Sequence, residues 1–549
     1  MKRYTGFFVL LLCLLFSSCT RTKIINNPEV LATNSRAIEI GCIELSDTET
    51  VFYMDAYHSV GSWVRIDSET YLEGNITGKQ YKLICSEGFE LDTRVNMPES
   101  GNVPFKLYFE PLDKTDTVVE FVEGYGEGAF VISGIQLKEE QKTNKIKCHI
   151  SGTVVDRPQS SRLILMPWNS DSRIYPWISV PIRDGKFDYT LYVDYEEVYT
   201  LIFYDEERQG VMRPINFFAE KGSITFTLHP MDRWEENIIS TKATLNVMMK
   251  SYNEKLRTTF NFSVLSAERD KLREENRYYS AEYDKWSEDW DKTDVREERD
   301  RLIRLLDELE RSGRLYSEEG KALVEKINNF SSDRTAWIFE YVKNNQSLLS
   351  YYQLVSLVND ALSRMRHDPD NAPDPAPYFA VYEEIYKNKY PDHPYTSKME
   401  MYISGNSIQV GGHYIDFTSP DATGKEYKLS EQIAGRVALI DLWASWCGSC
   451  RRTSISMIPV YEKYKDKGFT VIGVARERDV AHMIRAAEQD KYPWLNLVEL
   501  NDRGKIWQKY GIGNAGGGVF LVDETGIIIT VNPTAEQVAV ILEERLREK

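Results

Sequence analysis

Between residues 36 and 140 apolar and polar positions alternate in short runs, among them Val51–Tyr57, Tyr81–Cys85, Phe105–Phe109 and Phe130–Leu137. Gly, Asp, Asn and Pro clusters separate them, so the segment reads as strands joined by turns, and a β-sandwich is the expected arrangement. A second all-β unit is expected over 146–231. Its strands are Arg162–Met166, Phe187–Val193, Val198–Tyr204 and Ser223–Leu228, and Asp184-Gly185 is a tight-hairpin signal. From 234 to 400 the apolar spacing becomes helical: Arg301–Leu309 shows i, i+3, i+4 repeats, and the amphipathic stretch Thr335–Met365 stops before a proline-rich break at 368–375. Trp286, Trp290, Tyr351 and Tyr352 in this region read as helix-packing residues. From 404 to 549 strands and helices alternate. The run Val437–Trp443 is short and nearly continuous in apolar residues, as a buried parallel strand would be. The pattern therefore predicts a multidomain chain: two all-β, sandwich-like N-terminal domains, an all-α middle region and a C-terminal α/β domain.

The first 19 residues depart from this pattern. Lys2 and Arg3 precede the ten-residue apolar run Phe7–Phe16, followed by Ser17-Ser18-Cys19. Spanning a bilayer takes about 20 apolar residues, so this segment reads as a signal peptide. Small residues ahead of a cysteine resemble the lipobox of bacterial lipoproteins, with Phe16 where Leu is usual. The resemblance implies lipidation at Cys19, an anchor in the cell envelope and a periplasm-facing chain. Residues 20–35 are polar and aperiodic and are expected to be a tether. No other stretch has the length and apolarity of a membrane span.

Composition narrows the function. Of 549 residues 42% are hydrophobic and 28% charged, and the formal net charge is -17. No clustered Lys/Arg surface emerges, so nucleic acid is not an expected partner. Of seven cysteines, Cys42, Cys85 and Cys148 are scattered among predicted strands and read as small hydrophobes, with one structural disulfide among them as the alternative. Cys447 and Cys450 are different, because they open a predicted helix directly after the Val437–Trp443 strand. One helical turn brings two such cysteines within disulfide range, about 5–6 Å between Cα atoms. Unpaired N–H groups and the helix dipole favour a thiolate at the first position. Cys447 is thus the expected nucleophile and Cys450, deeper in the helix, the resolving thiol. A metal site would need a second ligand pair, and none of the seven histidines stands at zinc spacing. Neither a metal nor another cofactor is expected.

Leu442-Trp443-Ala444-Ser445-Trp446-Cys447-Gly448-Ser449-Cys450-Arg451, in a strand–CxxC–helix–strand–helix–hairpin–helix order, resembles the TlpA/ResA-like family of membrane-tethered thioredoxins. The resemblance covers 404–549 and implies a thioredoxin-like fold. It also implies thiol:disulfide oxidoreductase activity, in the direction of reduction, on envelope protein disulfides, with an upstream electron donor. The β unit before the helical region is similar to the β domain that precedes thioredoxin domains in many Gram-negative envelope proteins. Carried onto this chain, the resemblance makes Asp441 the buried carboxylate that moves protons to and from the second cysteine. Glu477 matches an acidic residue facing the site in some relatives, and Trp446, Gly448 and Ser449 surround the pair. Two departures stand out. Gly517, within Gly516–Gly518, occupies the position of the family's cis-proline, which shields the cysteines and lies beside the substrate-binding backbone. Ile455 stands where a helix proline is usual, and Pro459 comes later.

Two other classes of function compete. In one, the β and helical modules bind a partner and the chain is an envelope scaffold lipoprotein whose thioredoxin domain is mainly structural. In the other, Cys447 attacks peroxide, although the Pro and Thr/Ser surroundings usual for peroxidatic cysteines are missing.

Overall fold

The computed structural model describes residues 22–546, apart from 31, 34, 36, 125–129, 139–143, 172–176, 212, 368–371 and 514–515. The leader at 1–19 and its Cys19 lie outside the described residues. No helix among the described residues is long and apolar enough to cross a membrane.

In the N-terminal region nine strands form one hydrogen-bonded series around a core that includes Phe52, Leu107, Phe109 and Phe121. Residues 20–35, expected as a tether, contribute to it. Lys23–Asn26 pairs antiparallel with Ile38–Leu45, Ile25 is buried, and Lys23 donates to the Leu137 carbonyl at 2.6 Å. One inward isoleucine and an edge to pair with suffice for so short a strand, and neither leaves a periodic signature in four residues.

The next unit stacks two four-stranded sheets. One runs 186–193, 146–154, 222–228, 238–241 and the other 178–181, 162–167, 197–203, 215–219. Ile150, Leu163, Leu201, Phe217 and Phe226 fill the space between them. Asp184 and Gly185 both adopt positive φ, 50° and 66°, and the flanking Arg183 and Lys186 exchange both backbone hydrogen bonds. That is the two-residue turn whose twist matches paired strands. Arg162, fully buried, joins this unit to the first: it pairs with Glu39 and lies between the rings of Tyr57 and Tyr204, 3.8 and 3.7 Å from their centroids.

Helices then run from Thr244–Thr259 to Pro394–Asn406. Their core includes Tyr351, Tyr352, Leu354 and Val358 together with Val198 and Phe218 of the β unit, so the two share one apolar interior. Trp286 and Trp290 are half-buried and stack on each other at 5.5 Å. The last helix meets the C-terminal domain so closely that a Cβ on Gly405 would fall 2.5 Å from the Gly511 Cα.

The C-terminal domain is built on a five-stranded sheet ordered 495–500, 469–477, 437–443, 518–522, 528–531. The first three strands are mutually parallel, and the last two are antiparallel to their neighbours. Every residue of Val437–Trp443 and of Phe469–Glu477 is buried, because helices cover both faces of the sheet. Parallel strands so packed deliver their carboxyl ends to one edge, and the CxxC segment emerges there.

Candidate active site

Cys447 caps the helix Gly448–Tyr464, with its Sγ accepting the Cys450 N–H at 3.3 Å. The two cysteines form a disulfide with their Cα atoms 5.3 Å apart. Both are buried, at 6% and 8% exposure. On reduction the helix N-terminus offers its free N–H groups to whichever sulfur carries charge.

Asp441 sits on the central strand, 3% exposed, and accepts a 2.6 Å hydrogen bond from the Ser454 hydroxyl. Burial pushes its carboxyl up to about 7, against the lowering effect of that hydroxyl. A cavity of about 560 Å³ beside the disulfide is lined by both Asp441 and Cys450, together with Thr453, Gly517, Asn532 and Glu536. Asp441 and Cys450 thus border one space.

Glu477, at the end of the neighbouring strand, is 1% exposed. It accepts from both the N–H and the hydroxyl of Ser445, at 2.5 and 2.9 Å. Burial raises it to about 7 as well, opposed by the two Ser445 bonds. Trp446 packs against Trp507 with ring centroids 6.0 Å apart, and the Ser449 hydroxyl lies 3.5 Å from Cys447 Sγ. Gly448 is the first helical residue.

Gly517 changes meaning in three dimensions. Its N–H donates to Cys450 Sγ at 3.0 Å, and a Cβ there would lie 1.8 Å from the Leu442 carbonyl oxygen. The chain comes this close because glycine has no side chain. Proline, lacking an N–H, would offer no such bond. Ile455, the other departure, is 43% exposed on the outer side of its helix, and Pro459 lies within that helix.

Sequence reasoning passed over Ser454 and the Gly517 N–H. Ser454 was within reach as the i+4 neighbour of Cys450 on one helical face. The Gly517 contact depends on a tertiary approach that sequence spacing does not encode.

A CxxC disulfide at the amino end of a helix, on the carboxyl edge of this sheet, defines a thioredoxin-like thiol–disulfide exchange domain. Residues 410–531 match the AhpC/TSA family, and the thioredoxin-like domain is similar to thiol-disulfide oxidoreductases of ResA and DsbE type. It is 29% identical over 143 residues to the thiol-disulfide oxidoreductase ResA of Bacillus thuringiensis subsp. konkukian (strain 97-27), covering 26% of this chain and 79% of the relative. It is 26% identical over 122 residues to the thiol:disulfide interchange protein DsbE of Pseudomonas fluorescens biotype C, covering 22% and 65%. Among solved structures, the thioredoxin domain of a thiol-disulfide oxidoreductase from Bacteroides vulgatus aligns over 26% of this chain and 100% of its own length, at 26% identity and a TM-score of 0.24.

Proposed function

We propose that this protein is a thiol:disulfide oxidoreductase that reduces disulfides of proteins in the cell envelope, held at the membrane by a lipid on Cys19. The observation that carries this reading is the shared cavity of Asp441 and Cys450 behind a helix-capping Cys447. In the reduced enzyme the Cys447 thiolate attacks a substrate disulfide. It forms a mixed disulfide and expels one substrate thiolate, which takes a proton from solvent. The Cys450 thiol then passes its proton to the Asp441 carboxylate, and the resulting thiolate attacks Cys447 Sγ. This closes the Cys447–Cys450 disulfide and expels the second substrate thiolate. Two electrons have moved from the dithiol to the substrate, and an external dithiol donor in the envelope restores the enzyme. A carboxyl that titrates at about 7 can accept and return that proton near neutral pH. Glu477 holds Ser445 two residues before the nucleophile and fixes the approach of the CxxC segment.

The test joins two measurements. Cys450→Ser should accumulate envelope proteins as mixed disulfides on Cys447, while wild type reduces insulin. Absence of cysteine-dependent adducts would favour the scaffold reading. A reduction potential near that of strong oxidants, about -120 mV, would overturn the reductive direction.

A further inference from the structure

Arg476 lies one residue before Glu477 and is 1% exposed. Its guanidinium donates to both carboxylate oxygens of Asp502, at 2.6 and 2.5 Å, and to the Gly513 carbonyl at 3.1 Å. Its remaining reach leaves the domain: Nη1 donates at 2.9 Å to Asp171, which follows the Arg162–Pro167 strand of the second β unit and is itself buried. The guanidinium carbon stands 5.4 Å from the centre of the Trp507 ring, and Trp507 packs on Trp446, the residue before Cys447. Adjacent residues of a strand point to opposite faces. The same two-residue step therefore ties Asp171 on one side and Ser445, through Glu477, on the other.

We infer that Asp171, some 275 residues before the redox pair, is a positioning residue for it, acting through Arg476; this rests on the exchange reading of Cys447 and Cys450. A buried guanidinium keeps its place only while acceptors surround it. With Asp171 present, the charge of Arg476 is met by the hydrogen-bonded carboxylates of Asp502 and Asp171 and by that of the nearby buried Glu499, and its plane is fixed beside Trp507. Without the Asp171 charge the guanidinium, still bound to Asp502 and Gly513, carries more uncompensated positive charge and is held less firmly on its Nη1 side. Trp507, and through it Trp446 one residue before Cys447, then has a less firmly held backing. Both consequences act in one direction, since a more positive and more open site favours the Cys447 thiolate and its attack. The β unit thereby restrains the reactivity of the pair.

The test uses the full, reduced chain and follows iodoacetamide alkylation of the Cys447 peptide by mass spectrometry across pH. Asp171→Asn should raise the alkylation rate below neutral pH by about two- to thirtyfold and move its midpoint down. Asp171→Glu, keeping the carboxylate, should stay within about twofold of wild type. Arg476→Lys keeps the charge but cannot hold Asp502, Asp171 and Gly513 together, so it should also speed alkylation, and it carries the test where Asp171→Asn does not fold. Asp205→Asn breaks a different ion pair of the same unit, with Arg157, and should leave the Cys447 rate at the wild-type value. Folded Asp171→Asn and Arg476→Lys proteins that alkylate at the wild-type rate overturn the inference, as does an equal acceleration in Asp205→Asn. Alkylation needs no turnover, so insulin reduction by wild type judges the oxidoreductase reading separately.

Discussion

On the Cys450 side of the disulfide stand Asp441, the Ser454 hydroxyl and the Gly517 N–H, around a cavity of about 560 Å³. On the Cys447 side stand Ser445, Glu477 and Trp446, with the carboxylate bound twice to one serine and no share in that cavity. Both carboxyls are raised to about 7, and burial is the largest cause in each. The difference lies in what surrounds them. A proton carrier needs a route to the group it serves, whereas a clamp needs its oxygens occupied. Asp441 has the first arrangement and Glu477 the second, so equal titration points to unequal roles.

The largest effect is expected from Asp441→Asn, which keeps the shape but removes the proton acceptor. Resolution of a Cys447 mixed disulfide should slow about 100-fold and lose its rise through pH 7, as read by acid-quenched kinetics. Stability should move the other way. The Asp441 carboxyl goes from its ordinary 3.8 to about 7 on folding, so between those values the native state holds the extra proton. Its contribution is complete below about pH 4 and is lost as the pH rises through 7. The asparagine variant has no such loss and should be more stable than wild type at pH 8 by up to about 4 kcal/mol, measured by denaturant unfolding at pH 5 and 8. A variant that resolves as fast as wild type would break the assignment of roles.

A smaller effect should separate the Gly517 N–H from the space around it. Gly517→Ala and Gly517→Pro both place a Cβ against the Leu442 carbonyl and push the loop away, but only alanine retains an N–H that can still be offered to Cys450 Sγ from the shifted backbone. Loss of a hydrogen bond to a charged sulfur is worth about 1.5 kcal/mol or more. Resolution should therefore be about tenfold slower in the proline variant than in the alanine variant. Equal rates would show that the approach, and not the N–H, matters on the Cys450 side.

Much of this contrast was legible in the sequence, and the limits have physical reasons. Cys447 and Cys450 declare themselves because three-residue spacing at a helix start follows from backbone geometry alone. Asp441 was legible only through the family resemblance, which matches it to a buried proton-moving carboxylate; its burial on the central strand came from the structure. Glu477 was named for the site, but its partner Ser445 depends on how two parallel strands end side by side. The strand at Lys23–Asn26 was hidden by its length. Arg476 and Asp171 were invisible, because a contact across 305 positions leaves no local periodicity.

The smallest effect is expected on the Cys447 side. Glu477→Gln keeps an acceptor for the Ser445 N–H and loses only the charge and one acceptor for the hydroxyl. Turnover should fall no more than about threefold, the scale of one neutral hydrogen bond, and its pH profile should keep the rise through 7 expected from Asp441. The charge itself is costly where it sits. Folding moves Glu477 from 4.5 to about 7, so its contribution to stability is complete below about pH 4.5 and disappears as the pH rises through 7. The glutamine variant should gain up to about 3 kcal/mol over wild type at pH 8 and nothing at pH 4. Matched unfolding and turnover series at both pH values decide the matter. A stability gain with near-normal turnover fits a carboxyl that holds Ser445 in place. A fall in turnover as deep as that of Asp441→Asn, with the pH rise gone, would make Glu477 the proton carrier and invert the comparison.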